Sequence, residues 1–401
     1  MGSKVIRRGL ALAVLLLLRT TRASANPEVD AYDARAVGMA GSGMIENGAA
    51  IFQNPAAMHA TDHLSVTVVA SPIMGWARAP LDGNGSNQTA GPSFSPLFLI
   101  GANVRILDRL VVGAIAYPAA GYGASFSQPK GTPNTEVSAV VTAAAVGASF
   151  AILPNLAIGG ALDASWASEH LQNYESTSGD VSGHTFVGGQ LGLYWRPAEN
   201  IRFGLAWRSK AVTDVAGSAT LSGVPVYISS KAATPNSFKL GAQIGVLDDR
   251  LVLAFGVAYW MYAAADGVVP LTATANGATL PLQTVYDWND SYAGVAGGEW
   301  WITKHVPVRA GVAVTRSATP YAKPDPFFPP PGWITSLATG TGLRLEHWQF
   351  DLGVAYSFDS ANVTSPVQDP PQLGGIAAAP RYSGVYSFRD VLVSVAGTFM
   401  F

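Results

Sequence analysis

Cysteine is absent from the 401 residues, which excludes a disulfide framework, thiolate chemistry and a cysteine metal site. Charge is scarce. Asp, Glu, Lys and Arg make up 12% of the chain, against roughly 25% in an average soluble domain. Residues 1–25 hold five of the 24 basic residues and no acidic one, so the remainder carries 19 basic against 26 acidic residues, a net −7. No basic excess is left to suggest a nucleic-acid face. Long apolar runs are missing too. Beyond residue 25 none approaches the ~20 residues of a membrane-spanning helix, although 49% of the chain is hydrophobic. Catalytic groupings are also missing. The histidines, at 59, 63, 170, 184, 305 and 347, include no His-Glu-x-x-His arrangement. His59 and His63 are four residues apart ahead of a strand and read as a surface pair. Gly183-His184-Thr185 lacks the outward serine and orienting acid that nucleophilic catalysis needs. The chain reads as a non-enzyme with no metal and no cofactor.

What is present begins with an export signal. Lys4, Arg7 and Arg8 precede the apolar stretch 10–18, and Ala23-Ser24-Ala25 is a small-residue cleavage site. The expectation is a signal peptide over residues 1–25, too short in its apolar part for a ~20-residue span. After it comes period-two alternation. Val391, Val393, Val395, Phe399 and Phe401 fall on one face of the last segment, and Ser394, Ala396 and Thr398 on the other. Trp348, Phe350, Leu352, Val354 and Tyr356 alternate with Gln349, Asp351, Gly353, Ala355 and Ser357 in the segment before it. An apolar, exported chain without spanning helices fits a closed barrel, whose strands satisfy one another's backbone groups in lipid. About fourteen strands are expected, at 64–72, 94–106, 109–119, 138–152, 156–168, 184–196, 200–210, 236–247, 250–263, 285–301, 305–316, 334–345, 347–358 and 388–401.

The links between these segments alternate. Short ones lie near Asp108, Asn155, Glu199, Asp248, Thr303 and Glu346. Long ones, rich in Gly, Ser, Asn and Pro, span 73–93, 120–137, 169–183, 211–235, 264–284, 317–333 and 359–387. Bacterial outer-membrane barrels have short periplasmic turns and long extracellular loops. The expected architecture is therefore an all-β transmembrane antiparallel barrel over 64–401, with Phe399 and Phe401 as the C-terminal assembly signal. Residues 26–63 have too little bulk for a core of their own, and Val37, Met39, Met44, Ile45, Ile51 and Phe52 argue for packing inside the lumen as a plug.

Within the strands, Arg202 and Arg208 alternate against Ile201, Phe203, Leu205 and Trp207. Arg309 alternates against Val308 and Ala310, and Arg344 against Leu343 and Leu345. Charge is costly on the lipid face, so these arginines are expected inside. They either hold the plug, through Asp33, Glu46 or Asp351, or anchor a ligand carboxylate, for which the guanidinium fork is suited. The proline-stiffened loop over 321–333 is expected to expose Phe327, Phe328 and Trp333, as a capture patch for a greasy molecule or as girdle packing.

Gly38-Met39-Ala40-Gly41-Ser42-Gly43, Glu46-Asn47-Gly48-Ala49-Ala50 and Gln53-Asn54-Pro55-Ala56 follow the export signal in this order. With the segments 196–209, 287–298, 308–320 and 351–356, they resemble the FadL/TodX family of outer-membrane transporters for long-chain fatty acids and other hydrophobic compounds. The resemblance runs nearly the full length. It implies passive uptake of a hydrophobic small molecule or fatty acid, captured at extracellular loops, released past a luminal plug and leaving sideways where a wall strand is kinked. Pro96 and Pro118 are the proline candidates for that kink. Asn54, Pro55 and Ala56 would form the turn that pins the plug. The partners implied are the ligand, outer-membrane lipid and lipopolysaccharide, and the barrel assembly machinery, with the chain as a monomer. The mature start Asn26-Pro27-Glu28-Val29-Asp30 departs from the family's apolar tip, and the loop 73–93 lacks an obvious helical hairpin. Two other readings remain: a general porin, and a scaffold subunit of a surface or secretion machine.

Overall fold

A computed structural model describes residues 32–82, 87–127, 134–174, 177–221, 223–266, 268–275, 277–368 and 380–401. The expected signal peptide and the start at Asn26 lie outside the described residues. Fourteen antiparallel strands close into one barrel. In chain order the wall is β1 (Leu64–Pro80), β3 (Ser93–Leu107), β4 (Leu110–Phe126), β5 (Thr135–Leu153), β6 (Leu156–Tyr174), β7 (Thr177–Ala198), β8 (Ile201–Arg208), β11 (Ser237–Val246), β12 (Leu251–Trp260), β15 (Ser291–Trp301), β16 (Pro307–Arg316), β17 (Trp333–Arg344), β18 (Trp348–Val363) and β19 (Gly384–Met400). The circle closes where β1 pairs with β19, from Ser65 opposite Met400 to Arg78 opposite Ser387.

Burial follows the pleat, with its sense reversed from that of a soluble protein. Along β18, Trp348, Phe350, Leu352, Tyr356 and Phe358 face outward and are exposed, while Gln349, Asp351, Ala355, Ser357 and Asp359 face inward and are buried. The outward band of Val146, Leu162, Leu191, Leu205, Val257 and Leu337 is likewise exposed. Such a surface is stable only against lipid.

The expected strands all occur, and the six short turns lie where the links were short. The long links differ from expectation. Several strands run further past the wall, β1 to Pro80 and β4 to Phe126, and the segment expected from 285 becomes strand only at Ser291. The expected loops also contain strands: β2 (Asn87–Thr89), the hairpin β9 (Ala211–Leu221) with β10 (Val224–Thr234), and the hairpin β13 (Val268–Ala275) with β14 (Ala278–Val285). The reason is edge pairing. β7 is 22 residues long and β8 only eight, so the far end of β7 would present an unpaired edge. β9 takes it, with Gly179 opposite Ala219 and Gly183 opposite Val215, and β10, β13 and β14 extend the sheet.

Residues 32–63 lie against the inward face of the wall. A four-residue helix, Ala34–Val37, is capped by the Asp33 carboxylate, which accepts from the amides of Arg35 and Ala36 at 3.1 Å each, and it contacts β17, β18 and β19. A second short helix, Ala50–Gln53, leads into a 3-10 helix, Pro55–Ala60, that contacts β4 to β7. The main core is built between this segment and the wall. Val37, Ile45, Ile51, Phe52 and Met58 pack with Val69, Leu99, Ile115, Tyr194 and Leu392. Glycine in the wall permits the approach. A Cβ on Gly192 would stand 2.0 Å from Asn54 Oδ1, and one on Gly311 would stand 2.3 Å from the Met39 carbonyl carbon.

Candidate ligand-conducting site

The site has four parts: a floor, the ion pairs that fix it, a chamber above it and a slit in the wall. The floor is held first by the Asn54-Pro55-Ala56 turn. Pro55 starts the 3-10 helix, where its missing N–H costs nothing. Asn54 Oδ1 accepts from the Ala56 amide at 2.9 Å, and its Nδ2 donates to the Leu193 carbonyl of β7 at 2.9 Å. The Ala56 carbonyl accepts from Ser149 Oγ of β5 at 3.0 Å. One turn thus bonds to two wall strands and to itself.

The ion pairs place the luminal arginines. Arg35 of the floor reaches Glu299 on β15 with two hydrogen bonds of 2.9 and 3.0 Å. Arg309 binds the same carboxylate at 2.6 Å, donates to the Thr341 carbonyl at 2.9 Å, and lies 2.8 Å from Asp351, off the line of a hydrogen bond. Glu299 and Arg309 are buried. Burial alone would lower the basicity of Arg35. The neighbouring Glu299 outweighs it and holds the guanidinium above its ordinary pKa. Arg202 pairs with Glu46 of the floor at 3.2 Å, and Tyr194 donates to Glu46 at 2.6 Å. Arg208 donates to the Phe52 carbonyl at 2.9 Å and lies over the rings of Phe52 and Tyr117. Arg344 sits apart. It is an exposed residue near a short turn, over the Trp301 ring, with its closest polar partner Gln349 at 3.4 Å.

Above the floor lies a cavity. Its walls are small inward residues, Ala206, Gly241, Ala258, Ala293, Ala313 and Ala355, and its floor includes Val37, Met44, Gln53 and Ala57. None of the four sequence-picked arginines lines it. The cation that does is Lys239, on β11 between outward Phe238 and Leu240. The alternation of that strand carried the signal, and sequence reading passed it over. Lys239 also sits 5.8 Å from the Phe52 ring centroid. A second cavity shares Lys239 and Trp260 with the first and extends to Arg208, Tyr117, Ala119 and Ala120.

That extension ends at a slit. β3 and β4 pair only from Ile100–Ala116 to Leu107–Leu110. Beyond this, Ser93–Leu99 bonds to β1 alone and Tyr117–Phe126 to β5 alone, until a single bridge from Ala90 to Phe126 closes the far end. Pro96 lies on one edge and Pro118 on the other, and β4 bulges between Pro118 and Ala120. Proline lacks the donor a ladder needs, and bulges mark such openings. Another break in the ladder, on β7 between Gly183 and Gln190, is bridged by two bonds between Gly189 and Ser209.

The loop over 321–333 departs from expectation. Phe327 and Phe328 are buried, not exposed. Phe327 meets Phe126 at the end of β4, and Phe328 meets Tyr122, Tyr286 and Trp288 at ring distances of 4.4 to 5.3 Å. The loop folds inward because these rings find one another there. Of the three aromatics expected to be exposed, Trp333 is, on the outer wall against Tyr292. At the other end, Phe401 bonds through its backbone to His63 and Leu64, and Phe399 lies on Trp348.

No family model matches the chain, and no curated protein matches it in sequence. Solved structures do. A Pseudomonas aeruginosa FadL homologue superposes with a TM-score of 0.77 over 96% of this chain and 100% of its own, at 16% identity. The Pseudomonas putida toluene transporter TodX gives 0.70 over 93% and 99%, at 13% identity, and the Ralstonia pickettii toluene transporter TbuX gives 0.67 over 93% and 99%, at 16%. The chain has the FadL/TodX fold. That likeness covers both the wall and the segment inside it, at an identity that speaks for architecture alone.

Proposed function

We propose that this chain carries hydrophobic small molecules across the bacterial outer membrane without an energy-coupled step, a reading supported by its sharing a fold with structures named as toluene transporters. The carrying observation is an apolar chamber beside a second cavity, the two sharing Lys239 and Trp260 and the second reaching Tyr117 and Ala119 at the edge of the slit. A ligand enters from the loop end, rests among Ala206, Gly241, Ala258 and Ala293, and passes by Lys239 and Trp260 to Ala119 and the slit. Apolar surface drives entry, worth about 25 cal/mol per Å² removed from water. The floor, which the structure describes over residues 32–63 of the plug expected at 26–63, stops ions and water, so the chain is not an open porin. The signal peptide 1–25, assembly through Phe399 and Phe401, and a monomeric state belong to the same proposal.

Lys239 makes the chamber selective for ligands with an anionic end, such as a fatty acid, over a pure hydrocarbon. Binding of oleate and of toluene to the purified barrel, by calorimetry, tests this. Lys239→Met is expected to weaken oleate by about tenfold, the loss of one charge-assisted contact, and to leave toluene unchanged. Equal loss of both would make Lys239 a packing residue. Planar-bilayer recordings test the plug: the intact chain is expected to give no large, steady channels, and their presence would favour a porin.

A further inference from the structure

We propose that the outer wall near the loop end of β1, β18 and β19 is a binding site for the phosphates of an anionic phosphoglycolipid in the outer leaflet. This rests on the outer-membrane orientation proposed above, with the long loops outside.

The lipid-facing surface is apolar over most of its extent, since a lipid-facing arginine costs about 2–4 kcal/mol at the bilayer midplane and about 0–1 near the interface. Three arginines nevertheless stand on outward positions in one sector. Trp76 and Arg78 follow outward Met74 on β1. The register sets Trp76 opposite Arg389, and Arg78 opposite Ser387. Arg389 is in turn opposite Phe358 on β18. The Arg389 guanidinium lies 5.6 Å from the Trp76 ring centroid. Arg316 lies 5.9 Å from the Trp333 ring centroid, on the neighbouring pair β16–β17. These rings form the wall's aromatic rim, which places the arginines at headgroup height.

The groove between Trp76, Arg78, Trp333, Phe358 and Arg389 is an open surface feature. The one carboxylate among its lining residues, Asp359, is buried on the inward side of β18. The sector therefore offers guanidinium forks, suited to phosphate, above aromatic faces suited to acyl chains, and no outward acid among the described residues that line the groove. Arg316 and Arg389 are three strands apart, roughly 14 Å at the usual strand spacing. One phosphate cannot serve both, and a lipid with two phosphates on one headgroup fits best. Clustered cations beside a membrane surface are the usual means of holding such headgroups.

Native mass spectrometry of the purified barrel with hexa-acylated bisphosphoryl lipid A is the test. The wild type is expected to retain a lipid adduct through collisional activation. Arg78→Gln with Arg389→Gln is expected to weaken it by about tenfold or more, and Arg250→Gln, at an exposed turn at the opposite end, to leave it unchanged. Fully dephosphorylated lipid should bind no better than background. Equal binding by the double variant, equal binding of the dephosphorylated lipid, or displacement by an equal concentration of phosphatidylglycerol would each overturn the assignment. The double variant is expected to keep its gel heat-modifiability and its ligand uptake. Loss of uptake with the lipid adduct intact would count against the proposed function and leave this site standing.

Discussion

Glu299 is shared between two arginines that belong to different parts of the molecule. Arg309 comes from the wall and Arg35 from the segment inside it. Removing either arginine leaves the carboxylate one partner, whereas removing the carboxylate takes a partner from both guanidinia at once, leaving Arg309 with the Thr341 carbonyl and Asp351. Losing one partner of a buried pair costs roughly 3–5 kcal/mol, and here the loss falls between plug and wall. Glu299→Gln is therefore expected to release the plug more than Arg35→Gln does. Both variants should remain folded, heat-modifiable barrels, because the ladders do not pass through these side chains. Sensitivity of cells to large antibiotics orders the two. Equal sensitivity, at the wild-type level, would show that the pair does not hold the plug. Sequence alternation was enough to put Arg202, Arg208 and Arg309 inside, since an outward arginine in mid-membrane is too costly. It could not say which acid each would find. Glu299 and Glu46 are assigned only by the way the floor lies across the wall.

At the scale of one element, the Asn54 turn and the β3–β4 slit make separate expectations. Changing Asn54 and Pro55 together to alanine removes a cap worth about 0.5–2 kcal/mol and the bond to the Leu193 carbonyl. The barrel should stay heat-modifiable while ion leakage rises. Full uptake with no new leak would reduce residues 26–63 to a passive tail. The slit predicts a change of rate without a change of fold. Ala119→Trp is expected to fill the opening where the second cavity meets it, cutting uptake several-fold while chamber binding of oleate persists. If uptake is unchanged, ligand leaves by another way. Pro96 and Pro118 were visible in the sequence as residues a ladder tolerates poorly. That they lie on the two edges of the same opening follows from where the pairing of these two strands ends. The slit itself arises because β3 bonds only β1, and β4 only β5, over those residues.

On the scale of the whole molecule, Phe401 lies at the seam where the barrel closes. Phe401 exchanges backbone bonds with Leu64 at the seam of β1 and β19. A chain lacking Phe401 is expected to insert more slowly into membranes containing the assembly machinery, read as the fraction of heat-modifiable protein with time. Insertion at the normal rate would remove this residue from the assembly signal.

The pattern of residues determined the wall by itself. Period-two alternation, bulky side chains on one face and small or polar ones on the other, gave fourteen strands, because lipid on one side and a filled lumen on the other leave no other stable arrangement for such a chain. Short and long links set the direction expected for it in the membrane. Long-range packing decided the rest. The expected loops over 211–235 and 264–284 became hairpins because β7 outran β8 and left an edge to be paired. Phe327 and Phe328 turned inward because Phe126, Tyr122, Tyr286 and Trp288, from distant parts of the chain, meet there. Lys239 became the cation of the chamber because the inward residues around it are glycine and alanine on other strands. Alternation reports which face a side chain takes. What occupies the space it faces depends on strands far away in sequence, and only the closed barrel brings them together.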